Sequence, residues 1–189
     1  DLIVDAEAPN GPYTVQIALV TDGGAPVAPP HPLGTIQVSG RQHLYEQPPI
    51  AHPVAARLGG AVTLLGYDLT PSALRPGEQL DLTLYWRAEA RMATPYKVFT
   101  HIIDGADRVW GQQDAEPMGG TYPTTGWLPG EVVVDTYQLP LDADAPEGEY
   151  YIEVGMYDPT TLVRLAAMDV DGTHLDHDRI LLGAVHVSP

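Results

Sequence analysis

The chain contains no cysteine. A disulfide scaffold, a thiolate zinc site and a cysteine nucleophile are therefore excluded. Positive charge is also scarce. Lys97 is the sole lysine, and Lys and Arg together number 9 against 25 Asp and Glu, for a formal net charge of −16. A charge of that sign repels phosphate, which argues against nucleic acid as a partner and against an anionic membrane surface. No apolar run approaches the length that spans a bilayer. Asn10 is the only asparagine and lies outside a glycosylation sequon. Sustained 3.6-residue periodicity is missing too, which leaves little room for helix beyond a turn or two at 51–58 and 71–74.

Proline and glycine, 19 of each, punctuate short apolar runs. That arrangement predicts many short strands rather than disorder. The clearest example is residues 139–158, where a polar turn leads into a strict alternation. Tyr150, Ile152, Val154 and Met156 share one face, and Tyr151, Glu153, Gly155 and Tyr157 share the other. The same element occurs at the start of the chain: DAEAPNG replaces DADAPEG, and Tyr13, Val15, Ile17 and Leu19 replace Tyr150, Ile152, Val154 and Met156. A second matching pair follows, LGTIQVS at 33–39 and LGAVHVS at 182–188, with an insert around 166–178 in the later copy.

The repeat sets the expected domain plan. Residues 1–39 read as the terminal strand pair of a preceding, similar module; 40–60 read as a Pro-rich linker; and 61–189 read as a complete β-sandwich. The expectation is thus a fragment of a longer chain. Strands are predicted over 13–20, 34–39, 62–69, 79–89, 96–103, 108–113, 131–139, 150–157, 162–168 and 179–187, the strongest alternation being Leu80, Leu82, Leu84 and Trp86. The segment APVAPPHP, 25–32, reads as a loop because proline removes ladder donors. The fold class is all-β, an Ig-like antiparallel sandwich preceded by an extra strand pair. Two strands cannot bury an apolar face alone. Their partner is expected among other modules of the same chain, or in a strand-swapped homodimer.

Five motifs between residues 61 and 188 carry a resemblance: LLGYDL, LRPGEQLDLTLYW, YKVFTHIID, GGTYPTTGWLPGEVVVD and GEYYIEVGMYD. Together they resemble the β-sandwich modules at the C-terminal, non-membrane end of some large bacterial multi-spanning membrane proteins of the glycosyltransferase type. The resemblance implies an accessory domain on the outer side of the membrane, at an extracytoplasmic or cell-surface location. It supplies no catalytic residue, so any transferase chemistry would lie elsewhere in the parent.

Candidate sites are few. The loop 114–130 holds Asp114, Glu116, Tyr122 and Trp127. Exposed aromatics beside carboxylates suit a sugar, whose apolar face stacks while its hydroxyls hydrogen-bond. Trp127, Tyr122 and Trp110 are the stacking candidates for a glycan partner, and their alternative role is to cap or fill the core. An acid pair in the same loop would be needed for hydrolysis. Asp169, Asp171, Asp176 and Asp178 crowd a Gly-containing turn with His174 and His177, as in a calcium loop, but without the EF-hand spacing or its terminal Glu. The alternative is a solvated acidic loop. His101 near Asp104 suggests acid–base work. No nucleophile elbow, zincin helix or phosphate loop accompanies it. The function expected is a non-catalytic accessory or interaction module, with carbohydrate binding as the alternative and no cofactor beyond calcium.

Overall fold

A computed structural model describes residue 4 and residues 7–188 of the chain. The chain divides into two compact units, residues 1–42 and 43–189. Among the described residues no helix is long and apolar enough to cross a membrane.

The smaller unit is one antiparallel pair, β1 (Gly11–Ile17) and β2 (His31–Val38). Its register is interrupted once, between Val15 and Gln16. The Tyr13 hydroxyl donates to the Pro9 carbonyl at 2.9 Å, and the Gly40 N–H donates to Asn10 Oδ1. Pro32, expected in a loop, lies inside β2 opposite Gln16. It stands beside the register shift, a place where a sheet tolerates proline. Leu2, Ile3, Asp5 and Ala6 of the repeated segment lie outside the described residues.

The larger unit is the expected sandwich. Its strands are β3 (His52–Leu58), β4 (Val62–Thr70), β5 (Ala73–Leu74), β6 (Gln79–Ala88), β7 (Lys97–Ile103), β8 (Val109–Gln112), β9 (Val132–Pro140), β10 (Gly148–Tyr157), β11 (Ala167–Met168) and β12 (Ile180–Val187). They form two five-stranded sheets, ordered β5-β12-β10-β7-β8 and β11-β3-β4-β6-β9. All pairings are antiparallel except that of β5 with β12. Alternation decides what enters the core. Leu80, Leu82, Leu84 and Trp86 of β6 face Tyr150, Ile152, Val154 and Met156 of β10, with Val98 and Ile102 of β7 and Val185 and Val187 of β12, in one cluster shared by both sheets. Burial of such side chains gives roughly 1.5–3 kcal/mol each.

Three expectations are corrected. The stretch 40–60 is not simply a linker. Residues 43–60 belong to the larger unit, Leu44 bridges to Val132, and His52–Leu58 is a strand paired along β4. Its prolines concealed it. Pro53 lies where β11 leaves the outer side of β3 uncovered, next to a register shift, so it is tolerated as on an edge. The helical turns expected at 51–58 and 71–74 are accordingly the strands β3 and β5. The strand expected over 162–168 shrinks to Ala167–Met168, because Asp158 Oδ1 accepts the Thr160 N–H at 2.7 Å and holds a turn there, with Leu162 at φ 61°.

The outermost strands of the two sheets are short or engaged. β5 and β11 have two residues each and β8 has four. The longer edge strand β9 meets the Leu44 carbonyl at the Val132 N–H (2.7 Å) and the Gln113 side chain at the Gln138 N–H (2.8 Å).

Candidate functional site

The outer face of the sheet β5-β12-β10-β7-β8 carries the densest chemistry in the larger unit. It is built by the second residue set of β10. Antiparallel register places Glu153 opposite His101 and Gly155 opposite Phe99. A Cβ on Gly155 would lie 2.4 Å from Phe99 Cζ, so glycine there gives the ring its place. Phe99 is buried, and the Arg164 guanidinium covers it at 4.1 Å from the ring centroid. The turn after β10 thus brings an arginine back across the sheet face, and Arg164 Nη1 is anchored on the His177 carbonyl at 3.0 Å.

Around this lid the charges interlock. His101 Nδ1 lies 2.7 Å from Glu153 Oε1, and His101 Nε2 lies 3.0 Å from Asp114 Oδ1. Arg179 Nη1 donates to Glu153 Oε2 at 2.8 Å, and Arg179 Nη2 donates to Asp107 at 2.8 Å. Arg164 Nη2 stands 3.7 Å from Glu153. Burial disfavours a charge on His101, but its hydrogen bonds to Asp114 and Glu153 outweigh that and raise its pKa to about 9. Burial likewise opposes charge on Glu153, yet the bonds from His101 and Arg179 lower its pKa to about 2. Arg179 is held charged by the same carboxylates against the cost of its burial.

The chemistry of this arrangement is that of fixed partners. Both ring nitrogens of His101 are engaged by carboxylates, which favour the cationic ring. Glu153 is held as a carboxylate by His101 and Arg179. Beside the cluster lies a cleft of about 550 Å³ lined by His101, Asp107, Val109, Glu153 and Arg164 and by the 177–179 segment.

The sequence candidates fall elsewhere. Trp127 is fully buried, with its Nε1 donating to the Tyr122 carbonyl at 3.1 Å. Tyr122 is 9% exposed, and its hydroxyl lies 2.8 Å from Glu131 Oε2. Trp110 is 8% exposed, donates to Asp104 at 2.8 Å, and has the Arg108 guanidinium over its ring. None of the three offers a face to a sugar, and the stacking site expected in the 114–130 loop is not formed. The loop is pinned inward instead. Thr124 bridges the Tyr96 N–H and the Thr94 carbonyl, and the Met118 N–H donates to buried Asp135 at 2.7 Å. Asp114 joins the His101 cluster. Glu116 stands before a 3-10 turn at Pro117–Gly120, makes no side-chain cap bond, and does not line the cleft.

In the expected calcium loop, Asp169 and Asp178 bond within their own segment. Asp169 Oδ1 accepts the N–H groups of Asp171 (2.9 Å) and Thr173 (2.8 Å), and Asp178 Oδ1 meets His174 Nε2 at 2.7 Å. Asp171 and Asp176 face solvent. Their carboxylates serve the turn, and among the described residues no group of three or more His, Asp or Glu side chains gathers as a metal site. Nor does Asp104 partner His101. It accepts the Ala106 and Arg108 N–H groups and the Trp110 indole.

Three residues central to the buried polar structure were not singled out from sequence: Glu153, Arg179 and Glu131. Glu131 is 2% exposed and receives the Leu128 N–H (2.9 Å), the Tyr122 hydroxyl and His43 Nδ1 (3.0 Å). The available signal was an acid set inside an apolar strand, as in Tyr-Ile-Glu-Val at 151–154. Asp135 is a further buried acid. Burial raises its pKa, against the lowering effect of the Tyr137 and Met118 hydrogen bonds. Among the described residues the Trp86 indole N–H has no hydrogen-bond partner at normal geometry, though it lies close enough to favour charge on Asp135.

No protein-family model and no curated protein matches the chain. Among solved structures it is similar to the C-terminal domain of Wzt, at 15% identity and a TM-score of 0.48, over 73% of this chain and 83% of that one. It is also similar to a CARDB domain from Pyrococcus furiosus solved in complex with di-metal ions, at 13% identity and a TM-score of 0.38, over 76% and 96%. Likenesses this remote transfer no residue role and no ligand.

Proposed function

We propose that the chain is a non-catalytic accessory module of a larger extracytoplasmic protein, and that its working surface is the cleft on the outer face of the sheet. The observation that carries the reading is His101 clamped between Glu153 and Asp114. The clamp engages both His101 nitrogens and Glu153 in ion pairs, which supports a binding role, and a polar cleft lies beside them. The motifs between 61 and 188 that resemble modules of glycosyltransferase-type membrane proteins support the accessory role, and the parent's chemistry would then lie outside this chain.

The cleft also favours one ligand class. Its charges are paired, so it exerts little net attraction on a strongly charged ligand. It offers fixed donors on Arg164 and Arg179 beside fixed acceptors on Asp107 and Glu153. Hydroxyl groups donate and accept at once, so a polyhydroxylated ligand such as a glycan fits this surface by hydrogen bonding rather than by aromatic stacking.

A glycan array probed with the 189-residue chain tests both statements. Binding that is lost in Arg164→Ala and kept in Trp127→Phe supports the cleft. Release of new reducing ends from any bound oligosaccharide would overturn the non-catalytic reading, and silence across the array would overturn the glycan reading.

A further inference from the structure

The smaller unit reproduces part of the larger one in backbone detail. Gly11 pairs with Val38 as Gly148 pairs with Val187, and Tyr13 with Ile36 as Tyr150 with Val185. Thr14 pairs with Thr35 as Tyr151 with Ala184. Both ladders then shift register at the equivalent place. Beyond the shift, Gln16 pairs with Pro32 as Glu153 with Leu181, and Ile17 with His31 as Val154 with Ile180. The glycines that open the two strands share a backbone angle, φ 152° at Gly11 and 156° at Gly148. Each tyrosine hydroxyl returns to the proline carbonyl four residues back, Tyr13 to Pro9 at 2.9 Å and Tyr150 to Pro146 at 2.7 Å. Shared composition does not produce a common bulge, a common glycine angle and a common side-chain clasp.

The copies differ in what completes them. β10–β12 is a finished element. Its inward residues Tyr150, Ile152 and Val154 are at most 2% exposed, and β7 pairs along the free edge of β10 from Ile103 to Lys97. Within its own unit β1–β2 is the entire sheet. Tyr13 is 37% exposed, Ile17 54% and Leu33 63%. A lone two-stranded pair is at best marginally stable in water. The corresponding slot in the larger unit is already filled by β10–β12.

We infer that β1–β2 is the closing strand pair of a second sandwich of the same plan, encoded on the N-terminal side of β1 in the parent protein. That sandwich presents a β7-like strand antiparallel to the free edge of β1. Its core takes Tyr13, Val15 and Ile17 in the positions that Tyr150, Ile152 and Val154 hold here. The parent is thus a tandem array, and this chain spans one junction of it.

Amide hydrogen exchange read by mass spectrometry tests the inference. It compares the 189-residue chain with the parent chain extended N-terminally by roughly 100 residues, an ordinary domain length. In the 189-residue chain, residues 11–17 and 31–38 should exchange at least ~100-fold faster than 148–157 and 180–187. In the extended chain the two sets should come within about tenfold. Ile17→Asp in the extended chain should restore fast exchange at 11–17 and 31–38 alone. Thr14→Asp, on the face matching outward Tyr151, should leave protection intact. Slow exchange of 11–17 in a monomeric 189-residue chain overturns the inference by showing a cis cover. Protection that rises with concentration, alongside dimer by light scattering, overturns it in favour of strand exchange. No gain on extension overturns it outright.

Discussion

Glu153 and His101 stand directly opposite each other on neighbouring antiparallel strands, with 2.7 Å between Oε1 and Nδ1. Cross-strand pairs are the unit of sheet stabilisation. Here the pair also ties β12 and the β7–β8 turn to the sheet through Arg179, which reaches both Glu153 and Asp107.

The pair predicts a pH window. His101 titrates at about 9 when folded against 6.5 when free, so its contribution is fully present below pH 6.5 and is lost as pH rises through 9. Glu153 titrates at about 2 against 4.5, so its contribution is present above pH 4.5 and is lost as pH falls through 2. The two contributions coexist in full between pH 4.5 and 6.5. Thermal unfolding should show the alkaline decline between pH 6.5 and 9, on the order of 2–3 kcal/mol. His101→Gln should flatten that arm. An unchanged slope in the variant would place the linkage elsewhere.

Glu131 is the second anchor. Glu131→Ala strands the Leu128 N–H in a buried site and takes the carboxylate from the Tyr122 hydroxyl, which keeps the Gly126 carbonyl, and should destabilise the larger unit by about 2–3 kcal/mol. Tyr122→Phe should cost only about 1 kcal/mol, since the carboxylate keeps its other donors. Urea denaturation of the two variants measures the difference, and equal losses would contradict the ordering.

Gly111 and Gly155 are among the glycines required by close approach. A Cβ at Gly111 would sit 2.2 Å from the Pro140 carbonyl oxygen, and one at Gly155 would sit 2.4 Å from Phe99 Cζ. Gly111→Ala pushes against backbone and should cost about 1–3 kcal/mol. Gly155→Ala in a Phe99→Leu background should be milder than in the wild type, because the ring that blocks the Cβ is gone. Double-mutant-cycle coupling between positions 155 and 99 is the readout.

Trp127→Ala should act as a core deletion. The side chain is fully buried, so the loss should be about 3–5 kcal/mol, with the unfolding midpoint shifted in chemical denaturation. Near wild-type stability would mean the ring is not part of the core.

Period-2 alternation made most of the sandwich readable. The inward set of β10 and the Leu80–Trp86 series of β6 are buried as their spacing implies. β3 was hidden because local proline chemistry argues against a strand, whereas its pairing with β4 is a tertiary fact. The site was harder to see for the same reason. Alternation places Glu153 on the face opposite Tyr150 and Ile152, and those two are the core residues. Yet Glu153 is only 4% exposed, because Arg179 and Arg164 arrive from distant segments and His101 from the neighbouring strand. Periodicity reports which way a side chain points, not what lies above it. The aromatic loop misled in the opposite sense. Trp127 and Tyr122 sit among Gly, Pro and Thr in a stretch that reads as surface, and only the Thr124 and Asp135 bonds reveal that it folds inward.

The short edges of the two sheets acquire meaning in an array. In the tandem array inferred above, similar modules would face one another at high local concentration, the condition under which bare strands template one another into aggregates. β5 and β11 offer two residues each and β8 four, while β9 is engaged by Leu44 and Gln113. Such a sandwich gives a sibling little backbone to grip. Repetition can therefore lengthen the protein without joining its modules edge to edge.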